Sequence, residues 1–132
     1  MNPTLVKPTV IAGDESKEYF FREGCHILEL WNDPADPGVS IARARVEPGT
    51  VTRSHQLSDT VERYVILAGT GEFLSDEIKT TVQAGDVVVI PANQPQAIKN
   101  TGSTDLIFLA ICSPRFSEEN YSDNSADDIQ VR

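Results

Sequence analysis

His55 and Glu62 are the residues of this chain whose types and spacing invite chemistry: an imidazole, then a carboxylate seven positions on, with the polar segment SDTV between them. A turn at that segment folds the chain back and brings the two side chains together on neighbouring strands. A paired imidazole and carboxylate either ligates a metal ion or moves protons, and both uses need that closeness. Tyr64 falls on the same strand face as Glu62 and Ile66. Its hydroxyl then lines a pocket beside the carboxylate or orients a substrate oxygen.

Strands are the elements that must position these residues. Residues 1–17 alternate short apolar pairs with Pro and Gly, which fits an N-terminal arm or edge strand. Apolar segments follow around Tyr19 to Phe21 and Cys25 to Trp31, the second ending in a Pro- and Asp-rich loop from Asn32 to Gly38. In VSIARARVEPG the small residues Ser40, Ala42, Ala44 and Val46 share one face, read as inward. Arg43 and Arg45 take the other, a solvated or interface face. ERYVIL after the turn reads as a strand, Gly69 to Gly71 as a chain reversal, and EFLSDEIKTTVQAGD as a hairpin turning near Ser75 to Glu77. The β-branched run to Ile90, QAIKN and LIFLAIC complete eight to ten short strands, with no helical pattern. That is an all-β fold, closed or double-sheeted.

Composition sets the bounds. At 132 residues the chain is long enough for one domain with its own core. The 20 acids against 11 bases, a net charge of −9, argue against nucleic acid or an anionic membrane as partner. Neither a leader-like apolar segment nor a run of membrane-spanning length is seen, so a soluble, cytoplasmic protein is expected. Cys25 and Cys112 lack metal-type spacing and read as buried thiols in a reducing compartment. From Ser117 onward five acids face one base. This acidic tail, residues 117–132, is either loosely packed or a cap on the barrel mouth through Tyr121. The domain proper is residues 18–116.

The spacing of Gly49, His55, Glu62 and Gly69, followed by Gly85, Pro91 and Asn100, resembles the two motifs of the cupins, small double-stranded β-helix or jelly-roll barrels. The likeness runs over roughly residues 39–111. Leu57, Asn93 and Gln96 stand where the family has His, Gly and His. The resemblance implies a metal site reduced to His55, Glu62 and Gln96, holding Zn, Fe, Mn or Ni weakly or not at all, since Leu57 is no ligand and an amide oxygen is a poor donor. It also implies a small-molecule ligand or substrate and a homodimer built on the strands from Tyr19 to Trp31.

Cupin barrels host many functions, so the residues leave distinct readings. One is a small-molecule enzyme of isomerase, lyase or oxygenase type with this thin metal site, its candidate catalytic residues being His55, Glu62 and Tyr64. A variant without metal has His55, oriented by Glu62, as general base while Tyr64 or Gln96 polarises a carbonyl. The other class is a metal-free binding or regulatory module, its pocket made greasier by Leu57, in which the His and Glu are a hydrogen-bonded relic pair. Gln96 equally fits a bond to a loop carbonyl, and His26 a satisfied core histidine.

Overall fold

The computed structural model describes residues 7–76 and 78–124. Eleven strands run through them in chain order: β1 Tyr19–Phe21, β2 Cys25–Trp31, β3 Ser40–Val46, β4 His55–Leu57, β5 Val61–Ala68, β6 Thr70–Leu74, β7 Lys79–Gln83, β8 Val87–Ile90, β9 Ala97–Asn100, β10 Leu106–Ser113 and β11 Tyr121–Asp123. Single 3-10 turns lie at Glu15–Lys17 and Glu118–Asn120. None of the described helices is long and apolar enough to cross a membrane.

One wall of the barrel is an antiparallel sheet of six strands in the order β1-β2-β3-β10-β5-β8. The facing wall is β7-β6-β9, continued by residues 50–55, which exchange backbone hydrogen bonds with β9, and by the β4-β11 pair. The core between the walls contains Ala44, Val46, Ile66, Phe73, Ile98, Leu106 and Phe108. Strand alternation dictates which residues reach it. Along β5, Glu62, Tyr64 and Ile66 are buried and their neighbours are less so, as the pattern of ERYVIL implies.

β3 sorts its residues as expected. Ser40, Ala44 and Val46 turn inward, whereas Arg43 and Arg45 lie on the outer face and bind the N-terminal segment. Arg43 meets Glu15 at 2.8 Å and Glu18 at 3.0 Å; Arg45 meets Glu18 at 2.7 Å and Asp105 at 3.2 Å. The Glu18 carboxyl is held down at about 2 by the hydrogen bond from Arg45, with Arg43 adding to it. His26 is not a core residue: it stands opposite Arg45 in the register, on that same outer face, and pairs with Glu47 at 2.7 Å.

Two local expectations are corrected. Gly69 does not close a hairpin, because β5 pairs with β8 and β10 while β6 pairs with β7 and β9. It is the corner where the chain leaves one wall for the other. Nor are His55 and Glu62 on paired strands; β4 belongs to one wall and β5 to the other, and they meet across the interior. The hairpin at Ser75 is as expected, with Leu74 opposite Lys79. Of the acidic tail, Tyr121–Asp123 pairs with β4 in the manner of a cap, and residues 125–132 lie outside the described residues.

Gly69 has φ +89°, and a Cβ there would stand 2.7 Å from the Asp105 carbonyl oxygen and 2.9 Å from the Leu106 Cα. Gly85 has φ +97° with open space around it. Gly85→Ala should therefore lose about 1–2 kcal/mol, the cost of a side chain in the left-handed region. Gly69→Ala should lose clearly more, because backbone must also move. Chemical denaturation of both variants checks this, and equal losses would contradict the corner contact.

Candidate functional site

An internal cavity opens between the two walls, with about 60 Å3 of room for water-sized molecules, enough for several waters or a ligand of a few heavy atoms. His55, Glu62 and Tyr64 all line it, so the sequence-derived trio does converge. Gln96 and Leu57 are buried but are not among its lining residues. The pocket is therefore not made greasier by Leu57.

His55 owes its place to Gln96, just ahead of β9, which exchanges both backbone hydrogen bonds with it, at 2.8 and 3.0 Å. Its Nδ1 lies 3.1 Å from the Arg53 carbonyl oxygen and 3.0 Å from Glu23 Oε2. Both are acceptors, so Nδ1 carries a proton and the lone pair of a neutral ring sits on Nε2. The Tyr121 ring stacks on the imidazole with centroids 5.1 Å apart and planes 16° from parallel. Tyr121 is backed in turn by Phe21 and by the Arg22 guanidinium, 4.4 Å from its centroid.

Glu23 is a cavity-lining residue that the sequence reading passed over. It lies in the tight turn between β1 and β2, closed by a hydrogen bond from Gly24 N to the Phe21 carbonyl. Its backbone carbonyl accepts from Arg53 N at 2.6 Å, which brings its side chain to His55. The second carboxylate oxygen accepts from the Cys25 thiol at 3.1 Å. Glu23, rather than Glu62, is thus the carboxylate that orients the imidazole. An acid in a turn has no periodicity to betray it, and its partner is 32 residues away.

Glu62 is only 8% exposed, and the carboxyl is pushed up to about 7. Burial is the main cause and the Glu23 charge adds to it; the nearby imidazole and hydrogen bonds from Gln96 and Cys112 pull the other way. Gln96 in turn accepts from the Tyr64 hydroxyl, so Tyr64, Gln96 and Glu62 form one chain of contacts. Three buried side-chain polar atoms among the described residues have no partner: Arg43 Nε, Tyr121 OH and Glu62 Oε1. Of these residues, Glu62 alone lines the cavity.

The donors fit a resident transition-metal ion poorly. Among the described residues no group of three or more His, Cys, Asp and Glu side chains is arranged to hold one. The Gln96 oxygen is occupied by Tyr64, and His55 Nδ1 is turned to Glu23 and Arg53. His55 Nε2 and Glu62 remain, fewer than the three protein ligands usual even at an open catalytic zinc site. The pair can instead hold and pass protons, the imidazole through Nε2 and the carboxyl through an oxygen poised near neutrality.

Two facing β walls around a cavity with a buried imidazole and carboxyl define a double-stranded β-helix barrel of the small-molecule-binding kind. The cupin domain family matches residues 42–112, more than half of the chain, and the chain belongs to that family. An oxalate-binding protein of Thermotoga maritima is 37% identical over 70 residues, 53% of this chain and 58% of the relative; the match thus spans a little over half of that protein's length. A predicted oxalate decarboxylase from the same organism superposes with a TM-score of 0.68 at 26% identity, covering 79% of this chain and 99% of the other. A Streptomyces nucleoside dehydratase shares the fold, with a TM-score of 0.72 at 17% identity over 87% and 91% of the two chains.

The Glu62 carboxyl also sets a pH signature. Its value rises from 4.5 to about 7 on folding, so between those limits the native state keeps a proton that the unfolded chain has shed. The associated stability is complete below pH 4.5 and declines as pH rises to about 7. The stability of Glu62→Gln relative to the parent should accordingly rise by on the order of 3 kcal/mol from acidic to mildly alkaline solution. Urea unfolding across that range measures it; a difference independent of pH would show that the carboxyl ionises freely in the fold.

Proposed function

We propose that the protein is a metal-independent acid–base enzyme of isomerase or lyase type, acting on a small molecule held in the barrel. The observation that carries this reading is the cavity-lining carboxyl of Glu62, with one oxygen unpartnered, facing a cavity that also receives an imidazole whose tautomer is set from behind. His55 Nε2 removes a proton from carbon or hydroxyl, and Glu62, protonated for part of the time near neutrality, returns one to the leaving or adjacent atom. Glu23, 3.0 Å from Nδ1, keeps the imidazole in register. Tyr64 acts through Gln96 on Glu62 and is a positioning residue in this scheme.

Oxalate, the ligand named for the Thermotoga relative, is disfavoured here. The cavity is lined by Glu23, Glu29 and Glu62 and by no Lys or Arg, so a dicarboxylate meets repulsion. A binding module without turnover loses the support of Leu57, which stands outside the cavity lining.

Proton abstraction can be read without knowing the full reaction. In deuterium oxide with a chelator present, the protein should exchange the acidic C–H of some member of a panel of small hydroxy and carbonyl compounds, followed by proton NMR. His55→Ala and Glu62→Gln should each slow that exchange by about 100-fold or more. Exchange that disappears on chelation, or that survives both substitutions, counts against the reading.

A homodimer through the Tyr19–Trp31 region is part of the same proposal. β1 is an edge strand, and its Phe20 is 64% exposed, a hydrophobic edge that a second copy would cover. Sedimentation at micromolar concentration should give a dimer, with Phe20→Glu shifting it toward monomer. A monomeric parent protein would rule the arrangement out.

A further inference from the structure

The charge of the cavity points beyond acid–base chemistry to the kind of molecule it admits. Glu23, Glu29 and Glu62 line it, with His55 the one basic side chain among the lining residues. Its wall toward solvent is aromatic, with Tyr19, Phe21 and Phe116 beside Glu29. Those four residues continue into an outer groove that adds Glu118, Glu119 and Arg115. There Arg115 is bonded through Nε to Asn32 at 2.7 Å, and Glu118 is paired with Arg22 at 2.9 Å.

At the inner end, Glu62 Oε1 is fully enclosed and accepts no hydrogen bond. A buried carboxylate oxygen without a donor is a strong demand, because it has given up water and received nothing in exchange. The imidazole does not meet it, since its proton-bearing Nδ1 is directed at Glu23 and Arg53. A ligand bearing N–H donors and a positive charge meets it, offsetting Glu62 and Glu23 together and passing a mouth whose rings favour cations on their faces. The net charge of −9 adds a favourable long-range field for such a ligand.

We infer that the barrel selects a small organic cation, a primary or secondary ammonium compound whose nitrogen pairs with Glu62 while its carbon skeleton lies against Tyr19, Phe21 and Phe116. This inference names the ligand class of the site proposed above and rests on that cavity being the functional one.

Calorimetric titration with a matched set of probes, n-butylammonium, n-butanol and butyrate, tests it at about pH 8, above the value at which Glu62 ionises. Butylammonium should bind at least about tenfold tighter than butanol, and butyrate weakest of all. Glu62→Gln should remove most of the difference between the ammonium and the alcohol. Glu29→Gln, a change at an exposed position that leaves the fold undisturbed, should weaken the ammonium alone by a few-fold, with the effect fading in high salt. Absent or weaker binding of butylammonium relative to butanol or butyrate overturns the inference, as does a preference undiminished in Glu62→Gln. His55→Ala separates the two proposals, since it should abolish deuterium exchange and retain the ammonium preference. Preference without exchange in the parent protein leaves the ligand class standing and removes the acid–base reading.

Discussion

A carboxyl group enclosed in an apolar barrel is the constraint on which the rest of this structure turns. Glu62 has left water, and every nearby polar group answers to it in part: Gln96 and Cys112 hydrogen-bond it, Tyr64 fixes Gln96, and His55 lowers its proton affinity from across the cavity. Burial outweighs all of these contributions, so the group reaches neutrality only half ionised. A side chain held between two protonation states inside a cavity is suited to exchanging protons with whatever enters.

The absence of positive charge in the cavity lining follows from strand parity. Arg43 and Arg45 alternate with Ser40, Ala42 and Ala44 along β3, and the parity that turns the small residues inward turns both guanidiniums outward. There they bind Glu15, Glu18 and Asp105, tying the N-terminal segment and the β9-β10 connection to the outside of the wall. A one-residue slip of β3 would exchange the two sets and fill the cavity with cations. The ionic network outside and the acidic cavity inside are thus two faces of one register.

Local pattern carried much of this, and it failed where pairing is non-local. Alternation placed Glu62, Tyr64 and Ile66 on one buried face, and the Gly, His, Glu and Pro spacing was enough to identify the barrel. Sequence neighbours were read as spatial neighbours at two points, and both readings failed. The expected turn is present at Ser58 and Asp59, but the strands on either side of it do not pair, and neither do those flanking Gly69, because a jelly roll passes successive strands between walls and a glycine corner looks like a glycine hairpin. Glu23 and Tyr121, which touch His55 from a turn and from an acidic tail, had no periodic signal. Gln96 was legible as a residue in the place of a ligand, but its role depends on a hydroxyl across the barrel and not on its own neighbours in sequence.

β11 is the last element described in the chain, and its Tyr121 forms one face of the imidazole's surroundings. β11 pairs with β4 alone and takes no part in the six-stranded wall or in the β7-β6-β9 sheet. Without it the imidazole would lie open on the face that Tyr121 covers. Enclosure of the histidine is therefore tied to the docking of one short strand rather than to the pairing of the two walls.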